Sequence, residues 1–486
     1  MSSITCFKAY DLRGRIPNEL NHDVAYRVGR AYAQFLSPRR VVVGRDIRLS
    51  SEGLVRTLTR ALNEAGVDVF DIGLCGTEGV YFATAHGGYD GGIMVTASHN
   101  PPDYNGMKFV REQSKPISGD TGLKEIRALA ERGDFTGGMT PGKRSEIDTM
   151  PAYIEHLLSY VDPKTLKPLR IVVNAGNGGA GLIIDRLEPH LPFKFIKLNH
   201  APDGHFPNGI PNPMLIENRA PTLEAIRREG ADLGLAWDGD FDRCFFFDET
   251  GSFIEGYYLV GLLARELLNA EQRTGGKGSA GSAGSAGSAA GAAGAAGMGG
   301  AGGRVVHDPR LTWNTIEMVR EAGGEAVQSK SGHAFIKQRM REVDAVYGGE
   351  MSAHHYFRRF AYADSGMIPW LLVAQIMSAS GASLSALVGE RIARFPVSGE
   401  LNYRVPDAAA ALAALEERYA RGAIGIDRMD GVSYEFADWR FNLRSSNTEP
   451  LIRLNVEARD SAELMRAKTE EVLAILRAHG AVAADH

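Results

Sequence analysis

The chain is predicted to be an α/β protein, with three similar mixed α/β domains followed by a smaller α+β domain carrying an antiparallel sheet. Three observations predict this. Short β-branched runs ending in polar loops recur in pairs, with helical patterns between them. After Arg394 the texture changes to strands that alternate apolar and polar residues. The length of 486 residues suits three or four domains.

The first strand pair is Val41-Val42-Val43, running into Gly44-Arg45-Asp46, and Ile93-Met94-Val95, running into Thr96-Ala97-Ser98-His99. The second is Ile171-Val172-Val173 into Asn174-Ala175-Gly176, then Leu233 to Trp237 into Asp238-Gly239-Asp240. The third is Val305-Val306 into His307-Asp308-Pro309-Arg310, then Ala345-Val346-Tyr347 into Gly348-Gly349-Glu350. Helical patterns cover 54–65, 256–270 and 313–322. Loops at strand ends are where such units bind ligands. Between 275 and 303 the chain is Gly, Ala and Ser, apart from Lys277 and Met298. With no apolar period, and glycines opposing helix by roughly 1 kcal/mol each, this segment is expected to be a flexible inserted loop without a chemical role. Strands at 400–405 and 451–456 and a helix at 408–419 form the last unit. Domains are expected over 1–148, 149–253, 254–394 and 395–486.

A net charge of -5, from 54 basic and 59 acidic residues with no basic tract, argues against nucleic acid as the main partner. Cys6, Cys75 and Cys244 are far apart and show no metal-binding spacing, which fits a reducing compartment. The N-terminus has no apolar export core, and the most apolar stretch, 367–377, is too short to span a bilayer. A cytoplasmic monomer with no membrane partner is expected.

The stretch from Gly91 to Lys108 carries the most chemical information. A strand stops at a proline-broken loop where Ser98 and His99 sit side by side, with Lys108 beyond the turn. A stiff base that exposes a hydroxyl suits a reacting serine, although an isolated Ser-His pair more often caps a turn. In Asp238-Gly239-Asp240-Phe241-Asp242-Arg243 three carboxylates alternate and would repel without a cation, so the loop suits a hard divalent ion. It is not an EF-hand, because Arg243 occupies the sixth position where glycine is needed. Gly176 to Gly181 fits a dinucleotide G-x-G-x-x-G, but the next strand ends in Asn199-His200 without the required acid. A tight turn and close helix packing account for it more simply. Arg444 to Thr448 combines a guanidinium, hydroxyls and free amides, which suits a phosphate as well as an ordinary hairpin. Glu350-Met351-Ser352-Ala353-His354 and Ser331-Gly332-His333 could read sugar hydroxyls. A nucleophile, a metal site and a phosphate site together point to phosphoryl transfer.

With these loops, in this order, the chain resembles the α-D-phosphohexomutases, most closely the bacterial phosphomannomutase/phosphoglucomutase branch. The resemblance covers essentially the whole chain outside 275–303. It implies four domains around a central cleft and a reversible phosphoserine mechanism. Ser98 would carry the phosphoryl group, with Mg²⁺ between it and Asp238, Asp240 and Asp242. The activity implied is interconversion of mannose 1- and 6-phosphates and of glucose 1- and 6-phosphates through a hexose 1,6-bisphosphate, with glucose 1,6-bisphosphate as activator. Tyr10, Arg13, His99 and Lys108 would support charge and proton transfer. Arg243, Arg310 and His333 would line the cleft. Glu350 and Ser352 would hold the sugar 3- and 4-hydroxyls beside His354. Arg444, Ser446, Asn447, Thr448 and Arg453 would grip the non-reacting phosphate. Many members have glycine where Ala353 stands, and often where Phe241 stands. A phosphoglucosamine mutase is the nearest alternative; a dinucleotide-dependent oxidoreductase and an inactive binding protein of the same fold are more distant ones.

Overall fold

The computed structural model describes residues 3–135, 140–273, 302–445 and 451–484. Four sheets follow one another along the chain, three mixed and the last antiparallel throughout. Each predicted strand pair lies side by side and parallel in its own sheet. Arg40–Arg45 pairs with Gly91–Val95, Arg170–Asn174 with Leu233–Trp237, and Arg304–His307 with Tyr347–Gly349. The third pair's second strand starts at Tyr347, two residues later than expected, with Ala345 just past the turn at Asp344. In each of the three mixed sheets the second strand then turns back into an antiparallel partner: Tyr104–Arg111, Cys244–Phe247 and His355–Phe357. The serine loop, the acidic loop and the Glu350 to His354 loop are therefore the same hairpin in three copies of one unit.

Helix positions follow the apolar periods. Ser51–Glu64, Trp313–Glu321 and Ala408–Tyr419 each bury one face, and Gly256–Arg273 runs three residues beyond its expected end. The glycine turn at 176–181 leads into the helix Ala180–Leu187, which stops where Pro189 sits in the 3₁₀ turn Glu188–His190. Residues 274–301 lie outside the described residues, so the expectation for the inserted loop does too.

The first unit has its own core. The second and third share one apolar core, and the reason is the helix Ile368–Ser380, which is hydrophobic on nearly every face. Its Trp370 is fully buried, with Phe193 and Phe195 of the second sheet at ring distances of 6.3 and 6.0 Å. Among the described residues no single helix is long and apolar enough to cross a membrane. The last unit keeps a separate core and meets the third through polar groups. Buried Glu457 accepts from the Thr312 amide and from Arg440, both at 2.8 Å, and from the Tyr257 hydroxyl. Such a polar junction is easier to open in water than the apolar seam between units two and three.

Gly106 shows how tightly the first sheet sets the serine loop. A Cβ there would lie 2.1 Å from the Leu12 carbonyl oxygen and 2.8 Å from that of Thr96. Gly106→Ala is therefore expected to lower stability by about 2–4 kcal/mol, read as an earlier urea midpoint at unchanged slope. An unchanged midpoint would show that the strands can part without cost.

Candidate functional site

Ser98 lies in the first of the three hairpins with φ 48°, a left-handed conformation that costs a serine free energy. Buried Arg48 holds it there. Its Nη2 donates to the carbonyls of Ser98 (2.9 Å) and Asn100 (2.5 Å), and its Nη1 to those of Pro101 (2.7 Å) and Tyr104 (2.9 Å). Thr96 Oγ1 accepts from the Ser98 amide at 2.9 Å. The hydroxyl then points across to the second unit and donates to Asp238 Oδ2 at 2.9 Å. A Cβ on Gly239 would sit 2.6 Å from the Ser98 carbonyl oxygen, so the acidic loop approaches this closely only with glycine there.

Asp238, Asp240 and Asp242 are buried, and their ligating oxygens all lie within 4.8 Å of one another. Two cations compensate. Arg243 Nε donates to Asp238 at 2.8 Å, and Lys108 Nζ donates to Asp240 at 2.7 Å and Asp242 at 2.5 Å. The Thr77 hydroxyl adds a bond to Asp240 at 2.5 Å. Burial and the neighbouring Asp240 charge push Asp242 above the usual carboxylate range, against the pull of Lys108. Burial opposes ionisation of Asp240 as well, but Lys108 and Arg13 outweigh it and hold Asp240 below the carboxylate range. Asp240 Oδ1 is buried with no hydrogen-bond partner. Three converging carboxylates, one with an idle buried oxygen, fit a hard divalent cation.

Burial, then Arg243 and Arg13, keep His99 well below its ordinary pKa, so its ring is neutral. Its Nδ1 accepts from Arg243 Nη2 at 2.5 Å and lies 3.1 Å from Ser98 Oγ. Arg13 Nη1 donates to Asn100 Oδ1 at 2.8 Å. Burial also opposes the Lys108 charge, but Asp240 and Asp242 hold its pKa above the usual lysine value.

A second charged cluster faces this one. Arg310 Nη2 donates to Asp308 (2.9 Å), Glu350 (3.4 Å) and the Ser352 hydroxyl (3.3 Å), and its Nη1 to Glu400 (3.3 Å). Glu400 also pairs with Arg444 at 3.2 Å and Arg453 at 3.7 Å. Burial disfavours the Glu400 charge, yet the three arginines bring it down to about 2. Glu350 accepts from the Tyr356 hydroxyl at 2.5 Å and the Gly332 amide at 2.8 Å. His354 joins the clusters: Nε2 is 3.7 Å from Asp242 Oδ1, and Nδ1 is 3.4 Å from Ser352 Oγ. The ring of Tyr10 stands edge-on to His333 at 5.6 Å. Ser446, Asn447 and Thr448 lie outside the described residues.

Four groups had not been singled out from sequence: Arg48, Thr77, Glu400 and the pair Lys337–Asp364. Lys337 is fully buried, with Nζ 2.6 Å from Asp364 Oδ1 and 3.9 Å above the Tyr81 ring. Only Arg48 had a sequence signal, its place in the polar loop after Asp46. Glu400 reads as one more polar residue at a strand start. The glycines at 176–181 serve packing. A Cβ on Gly181 would lie 2.2 Å from the His200 carbonyl oxygen, and one on Gly178 would lie 2.9 Å from that of Gly239. The turn is thus built against the acidic loop. Phe241 (φ 46°) and Ala353 (φ 69°) both sit in the left-handed region, which is the physical reason glycine suits these positions. Phe241 offsets the strain by burying its ring against Gly76 and Gly179.

Beside Thr77, buried Glu78 accepts from the Tyr153 hydroxyl at 2.5 Å, and burial pushes its pKa up to about 8. Its value in the unfolded chain is the ordinary 4.5. Between these two values the folded state holds a proton that the unfolded state has lost, so stability falls as pH rises across that window. Glu78→Gln should flatten this decline between about pH 5 and 8 in urea unfolding. A slope identical to the parent's would show that Glu78 titrates normally.

Family models for phosphoglucomutase/phosphomannomutase match across the chain: alpha/beta/alpha domain I at 5–137, domain II at 151–251, domain III at 255–395 and the C-terminal domain at 400–474. The chain is 55% identical over 483 residues to a phosphomannomutase of Salmonella montevideo, covering 98% of this chain and 100% of the relative. It is 57% identical over 476 residues to a phosphohexose mutase of Xanthomonas campestris pv. campestris (strain B100), with 98% and 100% covered. A crystal structure of a phosphoglucomutase/phosphomannomutase family protein from Burkholderia thailandensis superposes with TM-score 0.83 at 31% identity, covering 99% of this chain and 100% of that one.

Proposed function

The chain belongs to the phosphoglucomutase/phosphomannomutase family, and we propose that it interconverts mannose 1- and 6-phosphates and glucose 1- and 6-phosphates through a phosphoserine at Ser98. It is an isomerase that moves a phosphoryl group between two positions of one sugar. The observation that carries this reading is the Ser98 hydroxyl 2.9 Å from Asp238, in a three-carboxylate loop facing the Arg310–Glu400–Arg444 cluster.

In the proposed cycle the bond from phosphorus to Ser98 Oγ breaks as a sugar hydroxyl oxygen takes the phosphoryl group, giving a hexose 1,6-bisphosphate. The sugar hydroxyl's proton passes to His99, neutral and 3.1 Å from Ser98 Oγ, which returns it to the departing serine oxygen and so ends the step unprotonated again. Mg²⁺ bound by Asp238, Asp240, Asp242 and the Ser98 oxygen would neutralise charge on the phosphoryl oxygens. Arg13, Arg243 and Lys108 supply fixed positive charge around the same oxygens. Glu350 and Ser352 hold the sugar 3- and 4-hydroxyls beside His354, with Tyr10 and His333 closing the wall. Arg310, Arg444, Ser446, Asn447, Thr448 and Arg453 take the distant phosphate; guanidinium groups bind such oxygens bidentately. The intermediate then turns end for end and returns its other phosphate to Ser98. The polar seat of the last unit lets it swing without exposing an apolar core. Glucose 1,6-bisphosphate would re-phosphorylate any Ser98 that loses its group. The enzyme is taken as a cytoplasmic monomer acting on small sugar phosphates, with domain limits near residues 148, 253 and 394.

A coupled assay on mannose 1-phosphate and glucose 1-phosphate, with Mg²⁺ and a trace of glucose 1,6-bisphosphate, tests this. Both should yield 6-phosphates. If only glucosamine 1-phosphate turns over, the fold stands and the sugar assignment is wrong.

A further inference from the structure

Thr77 opens the helix Thr77–His86 of the first unit, yet its polar groups serve the acidic loop of the second. It is fully buried. Its amide donates to the Asp240 carbonyl oxygen at 3.1 Å, and its hydroxyl donates to Asp240 Oδ2 at 2.5 Å. Lys108 Nζ donates to the same Oδ2 at 2.7 Å and to Thr77 Oγ1 at 3.2 Å. Both donors therefore fall on one oxygen of the carboxylate, while Oδ1 stays buried with no hydrogen-bond partner. The main chains approach closely here too: a Cβ on Gly76 would lie 2.3 Å from the Phe241 ring. Residues 76–77 and 240–241 are thus fitted to each other across the boundary between the two units.

The last torsion of an aspartate is broad and nearly two-fold, so nothing in the side chain itself decides which oxygen faces inward. Lys108 does not decide it either. Its flexible ammonium also serves Asp242 at 2.5 Å and can follow whichever oxygen is near. Thr77 is stiffer. Its β-branched side chain has few rotamers, and its amide anchors the same residue that its hydroxyl bonds. Groups that hydrogen-bond a ligating carboxylate orient it toward its metal. We propose, building on the divalent-cation site assigned above to Asp238, Asp240 and Asp242, that Thr77 is a positioning residue which turns Asp240 Oδ1 toward the cation.

Titration of the full chain with Mn²⁺, the free ion counted by electron paramagnetic resonance, tests this. The parent should bind the ion. Thr77→Val keeps the side-chain shape, removes the hydroxyl and leaves Lys108 on Asp240 Oδ2, so no bare charge is created. Its Mn²⁺ affinity should fall at least ~10-fold, the scale of a lost outer hydrogen bond to a metal ligand. Thr77→Ser retains the hydroxyl and should recover most of that loss. The rate lost in Thr77→Val should return as Mg²⁺ is raised, which a general loosening of the fold would not produce. Parent-like Mn²⁺ affinity in Thr77→Val overturns the proposal and leaves the metal site standing. Thr77→Ser binding as weakly as Thr77→Val also overturns it, since the hydroxyl would then not be the cause. If Thr77→Val does not fold, Thr77→Ala is read in the same way against Thr77→Ser. No bound ion in the parent overturns the metal site itself along with the proposal.

Discussion

Ser98→Ala is expected to lower turnover of both hexose phosphates by at least ~10³-fold, the scale seen when a nucleophile is removed. The substitution deletes one oxygen and little else. Arg48 grips the loop through main-chain carbonyls, which alanine retains, and the left-handed φ at this position is no worse for alanine than for serine. Stability should change by under about 1 kcal/mol, so the loss would be chemical. Intact mass should show the parent carrying one phosphate that the variant lacks, and added glucose 1,6-bisphosphate should not restore the rate. Turnover within tenfold of the parent would remove Ser98 from the reaction.

Asp240→Asn should cost about 10²–10⁴ in kcat, several kcal/mol of charge stabilisation, and should raise the Mg²⁺ concentration needed for half-maximal rate. The carboxylate with the idle buried oxygen becomes an amide, so the loop keeps its shape and loses a charged ligand. The change also relieves repulsion at Asp242, whose raised pKa owes part of its shift to Asp240. The two effects separate in one experiment: a Mg²⁺ titration of rate reads the ligand, and urea unfolding without metal reads the repulsion. The same Mg²⁺ dependence and the same rate as the parent would break the metal assignment.

Much of the site was legible because its residues come in short blocks. Ser98 and His99 adjoin, and Asp238, Asp240 and Asp242 fall within five residues, so local crowding of like charge already signalled a cation. Thr77 and Glu400 were not legible, because each acts on a partner far along the chain. Thr77 meets Asp240 across 163 residues, and Glu400 gathers Arg310 from 90 residues away. Nothing in the residues around Glu400 distinguishes it from an ordinary strand end. The rival glycine motif likewise needed the fold to decide it. Only the packed structure places the His200 and Gly239 carbonyls where side chains at 181 and 178 would lie.

By itself the sequence determined the repeated strand pairs, the helices between them, the change of texture after Arg394 and the three loops rich in chemistry. These depend on period, turn residues and local charge, which act over a few positions. Only the tertiary structure decided that the three loops are one hairpin repeated and that their tips converge. It also decided that the second and third units share a core while the fourth rests on buried polar groups. Those outcomes depend on which surfaces meet, and the burial free energy that selects them is set by partners distant in the chain.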